Sequence, residues 1–344
     1  FSYLIFSVSS RTMAGDSTKL LSMIRKLDAN DPTENWIGPY AMIKTLGQGA
    51  TGVVRYAKRR DARIVDPKPD DEVAIKIIDL AALKNKPDER KRVDREITIL
   101  RLVDHPYLMK MHDLIQNKTH KYMVLEYLPG GELYDLIMKN GGRLTPEEAF
   151  KYFFQLLVGV AYMHRRKLVH RDIKLENMIR DANGDIKLAD FGMSCEMPPG
   201  GKLKESVGSP HYACPEIVKG DSYDGYQADA WSTGVVLFVL LTGMLPFMAE
   251  DTNVLFEKIC KGDYRMPAEL PDPAQDLIRG LINAKGSDRL DVDGIAKSKW
   301  FRSRIPRVTP AQRKIFEAEF PPDDDFAEHL HNKLLPPSGT MKRI

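Results

Sequence analysis

From Tyr40 the chain runs through Met42-Ile43-Lys44-Thr45-Leu46, breaks at Gly47, Gly49 and Gly52, and resumes as Val53-Val54-Arg55-Tyr56. Aliphatic and β-branched residues punctuated by glycines predict strand, turn and strand. The charged stretch Arg59 to Glu72, with Pro67 and Pro69, predicts a solvated connection into a third short apolar strand, Val73 to Ile78. From Asp88 to Leu102 the apolar residues Val93, Ile97, Ile99, Leu100 and Leu102 stand among charges at near-helical spacing, and His105-Pro106 closes that amphipathic helix. Two further apolar runs, Leu108 to Ile115 and Tyr122 to Leu128, read as strands before Pro129-Gly130-Gly131 interrupts the chain. Beyond that point the periodicity turns helical over Glu132 to Lys139, Pro146 to Arg165, Gln227 to Thr242, Val254 to Lys261 and Pro273 to Asn283. A β-rich lobe, 40–128, is therefore expected to precede an α-rich lobe, 129–301, with an N-terminal extension, 1–39. A C-terminal tail, 302–344, holds Asp323-Asp324-Asp325 and prolines at 306, 310, 321, 322, 336 and 337, and is expected to be extended.

Composition narrows the classes without choosing one. Hydrophobic residues make 43% and charged residues 29% of 344, enough apolar material for a large core and too much for wholesale disorder. A net charge of +3 leaves no excess of cations for a nucleic-acid backbone, so nucleic acid is not the expected partner. The longest apolar run, Val235 to Leu241, is seven residues. A membrane-spanning helix needs roughly 18 or more. Three cysteines, Cys195, Cys214 and Cys260, have neither disulfide-framework nor zinc-ligand spacing, which suits a reduced cytosolic or nuclear setting. The sequence begins with Phe1, and Met13 is a candidate translation start.

Chemistry enters through residues whose spacing makes sense only together. Gly47, Gly49, Gly52 and Val54 form GxGxxGxV between two strands, where missing β-carbons let backbone amides approach a polyphosphate. Alone, such a hairpin is usually just a turn. Lys76 ends Val73-Ala74-Ile75-Lys76, a charge on an otherwise apolar strand, and so calls for a partner. Glu96, flanked on its helix by Val93 and Leu100, is the candidate, against the plainer reading of a solvated helix glutamate. His170-Arg171-Asp172-Ile173-Lys174-Leu175-Glu176-Asn177 is followed by Asp190-Phe191-Gly192. Phosphoryl transfer needs magnesium on hard oxygen ligands, a carboxylate to orient the attacking hydroxyl, and cations on the phosphates. Asn177, Asp190, Asp172, Lys76 and Lys174 supply those parts.

With these motifs in order, 40–301 resembles the eukaryotic protein kinases, of the serine/threonine type. The resemblance implies an α+β, bilobal fold: a β-rich N-lobe with one key helix, a mostly helical C-lobe and an ATP site in the cleft. It implies that Lys76, paired with Glu96, holds the α- and β-phosphates of ATP, that Asn177 and Asp190 bind Mg2+, that Asp172 is the catalytic base, and that Lys174 neutralises the transferred phosphate. Leu46, Val54, Ala74 and Ile179 would sandwich the adenine, although plain core packing is compatible with the same residues. Leu125 would be the gatekeeper, and the backbone at Glu126 and Leu128 would bond the adenine. Leu100, Met111, His170, Phe191 and Asp229 resemble a stacked spine, and Glu216 of Cys214-Pro215-Glu216 should pair with Arg289.

Lys174 in the catalytic loop resembles the serine/threonine kinases, and Gly208-Ser209-Pro210-His211-Tyr212-Ala213 with Ala189-Asp190-Phe191-Gly192-Met193-Ser194 looks most like the calcium/calmodulin-dependent group, within it the relatives of AMP-activated protein kinase. Glu132 and Glu176 occupy positions where similar kinases recognise a basic residue upstream of the phosphoacceptor, and the resemblance also counts Glu132 among the residues of the ATP site. Protein or peptide substrates are the implied partners. A scaffold-like pseudokinase and a small-molecule kinase are the competing readings; the first should have lost a catalytic residue, and the second lacks use for the Cys214–Glu216 segment. One departure stands out. Glu205 takes the place where these relatives carry an activating threonine, so by resemblance it could meet Arg171 and Arg92; Ser206 is the alternative, as a phosphorylation site.

Overall fold

The computed structural model describes residues 36–49, 52–60, 68, 70–142 and 144–321. The expected extension before residue 36, Pro67 and Pro69, and the tail from Pro322 onward, with its acidic run, lie outside the described residues. The chain groups into two units, one reaching to residue 81 together with 112–127, the other comprising 82–111 and everything from 128.

The first unit is a six-stranded sheet in the order β1-β2-β3-β4-β6-β5. Its strands are β1 (Trp36–Ile37), β2 (Tyr40–Gly49), β3 (Gly52–Arg59), β4 (Glu72–Asp79), β5 (Met111–Gln116) and β6 (His120–Glu126). Side chains alternate between faces along a strand, and the register divides this sheet cleanly. Ala57, Val73 and Ile75 with Tyr40, Tyr122 and Val124 form a closed core, against which Ile37, Met42, Ile77 and Ile115 pack. Val54 stands opposite Lys76, Lys76 opposite Met123, and Ala74 opposite Leu125, so these five share the other face. The strand expected from Leu108 begins only at Met111, because Tyr107 and Met109 are bonded instead to Leu188 through Leu188 N to Tyr107 O at 2.9 Å and Met109 N to Leu188 O at 2.9 Å.

The second unit contains the amphipathic helix α1 (Pro87–Leu102), which was expected within the β-rich lobe. Its buried stripe, Val93, Glu96, Ile97, Ile99 and Leu100, packs against the short turn Phe191–Met193, and that packing is why it groups here. There follow β7 (Gly131–Glu132), α2 (Leu133–Lys139) and α3 (Pro146–Arg165). Thr145 starts α3 through a capping box: its Oγ1 accepts from Glu148 N at 3.2 Å while Thr145 N donates to Glu148 Oε2 at 2.9 Å. Short strands β8 (Leu168–Val169), β9 (Met178–Arg180), β10 (Ile186–Leu188) and β11 (Cys195–Glu196) carry the polar loops between them. Next come α4 (Pro215–Lys219) and α5 (Gly225–Thr242), which is buried around nearly its whole circumference and ends at Gly243 with φ +74°. The remaining helices are α6 (Thr252–Lys261), α7 (Asp272–Leu281), α8 (Val292–Lys297), α9 (Lys299–Arg302) and α10 (Pro310–Glu319).

Helix α10 corrects the expectation of an extended tail from residue 302. Pro310 occupies the first turn, where a missing N–H costs nothing, and Thr309 with Gln312 forms a second capping box. Phe316, 1% exposed, stacks its ring among Phe154, Phe301 and Phe320. Arg165 of α3 donates through Nε to Glu319 O at 2.5 Å and lies over the Phe320 ring. The prolines counted as breakers flank the helix rather than interrupt it. No helix among the described residues is long and apolar enough to cross a membrane.

Candidate active site

The loop between β8 and β9 is built around one buried carboxylate. Asp229, near the start of α5 and 1% exposed, accepts from His170 N and Arg171 N, each at 2.8 Å, and from His164 Nε2 at 2.9 Å. Burial works to raise its pKa, but the His164 hydrogen bond and the neighbouring imidazoles and amides outweigh it and hold the group below the usual carboxylate range. With two successive amides pinned, Arg171 is held at φ +66°, a conformation costing a non-glycine residue about 1–3 kcal/mol. That kink delivers the next residue, Asp172.

Asp172 is itself 8% exposed and every oxygen is engaged. Oδ2 accepts from Lys174 Nζ at 2.7 Å and from Asn177 Nδ2 at 3.1 Å; Oδ1 accepts from Ser209 N at 3.1 Å and Ser209 Oγ at 3.0 Å. Asn177 Nδ2 also donates to Asp172 O at 2.8 Å. Burial pushes the Asp172 pKa up, and the Lys174 ammonium, with help from His170 and Ser209, brings it below its ordinary value. Lys174 Nζ donates to Ser209 Oγ at 2.9 Å as well, so lysine, aspartate and serine close a triangle. Gly208, at φ +102°, is needed to admit Ser209: a β-carbon there would stand 2.7 Å from Arg171 O.

The second candidate metal ligand is tied to the first through the backbone, since Ala189 N donates to Asn177 O at 2.8 Å. Asp190 follows at φ +62°, exposed, its Oδ1 accepting from Gly192 N at 3.3 Å. Phe191, fully buried, packs its ring 5.3 Å from that of His170. Glu96 of α1 is 4% exposed, and its Oε2 lies 3.9 Å from where a β-carbon on Gly192 would be. Glu96 is thus buried beside the Asp190 turn rather than solvated. Because the Asn177 amide nitrogen serves Asp172, its side-chain carbonyl oxygen is the hard donor that Asn177 has left to offer. One amide and one carboxylate suit magnesium, which keeps water and substrate phosphates among its ligands.

In the sheet unit, the glycine hairpin separates internal from external demands. A β-carbon on Gly52 would meet Ile77 O at 2.0 Å, so the fold itself requires glycine there. Among the described residues, a β-carbon on Gly47 would meet nothing within 4 Å, and one on Gly49 only Gly52 O at 3.9 Å. Room left open where the chain makes no demand fits a polyphosphate approaching the β2–β3 turn. Leu46 is 41% exposed, which core packing does not explain, while Val54 is half-buried and Ala74 buried on the Lys76 face. Leu125 is 8% exposed and lies opposite Ala74; Glu126 ends β6. In the helical unit, Leu128 and Ile179 are each half-buried.

Glu132, on β7, is paired in register with Ile179 of β9 and faces the Asp135 and Glu176 carboxylates. Burial first, and then those like charges, push its pKa up. Glu216 Oε1 and Oε2 accept from Arg289 Nη2 at 3.1 and 3.3 Å, the expected pair. The Cys214 thiol is 1% exposed and burial raises its pKa to about 12, so it is a packed small residue rather than a nucleophile. Arg171 reaches Glu205 as expected, but the helix arginine that does so is Arg95, not Arg92. Arg92 lies one turn before Glu96 on the same stripe; Arg95 is about 100° around the helix from Glu96, on the side that Glu205 approaches. Sequence reasoning also passed over Ser209 and His164. The hydroxyl of Ser209 carried a signal in its position between a glycine and a proline, whereas nothing near His164 in the chain announced Asp229.

The sequence profile described as protein kinase domain matches residues 40–301. A probable serine/threonine-protein kinase of Dictyostelium discoideum is 40% identical over 279 residues, 80% of this chain and 32% of its own length. The carbon catabolite-derepressing protein kinase of Candida tropicalis is 39% identical over 306 residues, 88% of this chain and 48% of its own. The SNF1-like protein kinase ssp2 of Schizosaccharomyces pombe is 42% identical over 270 residues, 78% of this chain and 45% of its own. The chain spans 32% to 48% of the length of these curated relatives. Since the profile runs from the first residue of β2 to Phe301 in the aromatic core around α3, the chain belongs to the protein kinase family.

Proposed function

We propose that this chain transfers the γ-phosphate of ATP to serine or threonine hydroxyls of protein substrates. The observation that carries the reading is the Asp172 carboxylate, buried, held by Lys174 at 2.7 Å and kept ionised, with Ser209 fixing its other oxygen. A carboxylate so held can orient an incoming hydroxyl and accept its proton. Lys174 lies where the transferred group's charge develops, and Lys76 is assigned the α- and β-phosphates, with Glu96 as the family's paired carboxylate. Asn177 and Asp190 would hold Mg2+, which supplies charge neutralisation on the phosphates. Gly47 and Gly49 leave space for the nucleotide, and Leu46, Val54, Ala74, Ile179 and the Glu126–Leu128 backbone are assigned to the adenine.

The acidic group of Glu132, Glu176 and Asp135 supports a preference for Arg or Lys upstream of the acceptor, because a cation entering there relieves carboxylates already crowded by one another. A peptide-library assay with ATP and magnesium tests the whole reading. The parent should phosphorylate Ser/Thr peptides, and Asp172→Asn should lose about 100-fold or more in kcat while still binding ATP. Nucleotide binding without turnover in the parent would instead favour the scaffold reading.

A further inference from the structure

Helix α10 and the turn before it, Ile305–Arg307, lie beyond residues 40–301, and where they pack against α3 they leave a cavity of about 720 Å³. The kinase domain supplies its floor through Tyr107 and, from α3, Phe150 and Phe154, all three buried. Val308 and Ile315, each half-buried, close it from the tail side. Burial, and then the Asp185 carboxylate, push the Tyr107 pKa up to about 12, and its hydroxyl is hydrogen-bonded with Gln312 and Gln155. The floor is therefore uncharged at neutral pH.

Most charges around the cavity are matched by a neighbour. Lys151 Nζ lies 2.9 Å from Asp185 Oδ1 and donates to Gly184 O at 2.8 Å. Asp181 Oδ1 accepts from the amides of Asn183 and Asp185, at 2.8 and 2.9 Å. Arg307 Nη1 donates to Glu147 Oε1 at 3.4 Å. Arg304, half-buried in the wall, has no carboxylate of its own among the described residues. Its Nη1 donates to Trp300 O at 2.9 Å and to Ser303 Oγ at 3.3 Å, and its guanidinium lies 4.5 Å from the centre of the Trp300 ring. Burial first, and then the like charge of Arg307, pull its pKa down, with Glu147 acting the other way. A guanidinium so placed gains from an anion that the chain does not provide.

We propose that this cavity binds a small organic monoanion, its carboxylate set on Arg304 and its aromatic or branched aliphatic body lying over Phe150 between Val308 and Ile315. Sites for small molecules span about 300–1,000 Å³ and are mostly apolar, with a few polar groups that fix orientation. Size and lining both fit. The Nε and Nη2 edge of Arg304 makes no hydrogen bond among the described residues, and a carboxylate accepts from such an edge through two parallel bonds. One unmatched cation calls for one anionic group rather than for the repeated charges of an acidic segment. Because one wall comes from residues beyond 301, the site belongs to this chain's tail as much as to the kinase domain.

The test titrates the full chain with naphthylacetate and with its neutral primary amide by isothermal calorimetry. An excess of a nonhydrolysable ATP analogue and magnesium keeps the probes out of a nucleotide site. The parent should bind the acid about tenfold more tightly than the amide, as a charge-assisted hydrogen bond implies. Arg304→Gln should lose that advantage for the acid and bind the amide as the parent does. Ile315→Trp, which puts an indole into the space, should lose both probes. Glu147→Gln removes a carboxylate that competes for the same cation and should tighten the acid roughly threefold, the scale of an exposed ion pair. Arg304 also covers Trp300, so urea midpoints are measured for every variant, and the acid–amide comparison in the parent needs no substitution at all. Equal affinity of acid and amide for the parent, no binding of either at millimolar concentration, or an Ile315→Trp variant that binds like the parent would overturn the site. The readout is binding, so none of these outcomes touches the assignment of phosphoryl transfer.

Discussion

The glycine hairpin of the sheet and the catalytic loop beside α5 are both assigned to the same reaction, and they are built on opposite plans. In the hairpin, Ile43 is 50% and Leu46 41% exposed, and at Gly47 no described residue comes within 4 Å of an added β-carbon. In the catalytic loop, Asp172 alone receives bonds from Lys174, Asn177 and Ser209, and the loop backbone is nailed to a carboxylate that is 1% exposed. A nucleotide must enter and leave, so a surface proposed to receive it is expected to stay open. Charge that moves during the chemical step is best met by dipoles already oriented, since reorienting them at that moment would raise the barrier. The difference teaches where substitution should act on binding and where on rate.

The sharpest contrast should come from Lys174→Met. Losing the ammonium removes the main influence that holds the Asp172 pKa down, and burial then dominates. The folded pKa of Asp172 moves up, so its proton is retained to higher pH and the acid limb of kcat/KM shifts upward, alongside a fall in kcat of about 100-fold or more. The sign follows from the parent: a lowered carboxylate pKa keeps the base ionised until pH falls below the ordinary carboxylate range. A pH–rate profile in which only the plateau drops, with the limb unmoved, would contradict the electrostatic role of Lys174.

A second contrast lies inside the hairpin. Gly52→Ala forces a methyl to within 2.0 Å of Ile77 O and should destabilise the protein by about 1–3 kcal/mol, read as a lower midpoint in urea. Gly47→Ala meets no atom of the described residues within 4 Å and should leave stability within about 0.5 kcal/mol while raising KM for ATP. Equal loss of stability at both positions would show that the open room at Gly47 is a feature of the fold rather than of nucleotide binding.

The smallest effect should be at the acidic group. Replacing Glu132 and Glu176 together by Gln should flatten selection for upstream Arg or Lys and raise peptide KM by roughly tenfold, with kcat almost unchanged, because that contact is made equally in ground and transition states. A library profile that is identical for parent and double variant would remove these carboxylates from substrate recognition.

Much of this was legible along the chain because it depends on local order. Alternation set the two faces of β3, β4 and β6, helical spacing marked α1, α3 and α5, and the run from His170 to Asn177 keeps the loop's parts within eight residues. The tail helix was misread because its prolines were counted as breakers, when Thr309, Pro310 and Gln312 form a start signal and Phe316 needed an aromatic core contributed by α3 and α9 to be worth burying.

What the sequence determined by itself was which residues are chemically able to act, since side-chain type and near-neighbour spacing are properties of the chain. Which of them meet was decided only by tertiary structure. Asp229 stands 57 residues after Asp172 in the numbering, yet it pins the two amides before it; Glu205 finds Arg95 across 110 positions, and Ser209 finds Asp172 across 37. Such partners share no period and no motif. They are selected by the burial of charge, which tolerates a carboxylate or a guanidinium in the interior only where the fold brings its counterpart within hydrogen-bonding distance.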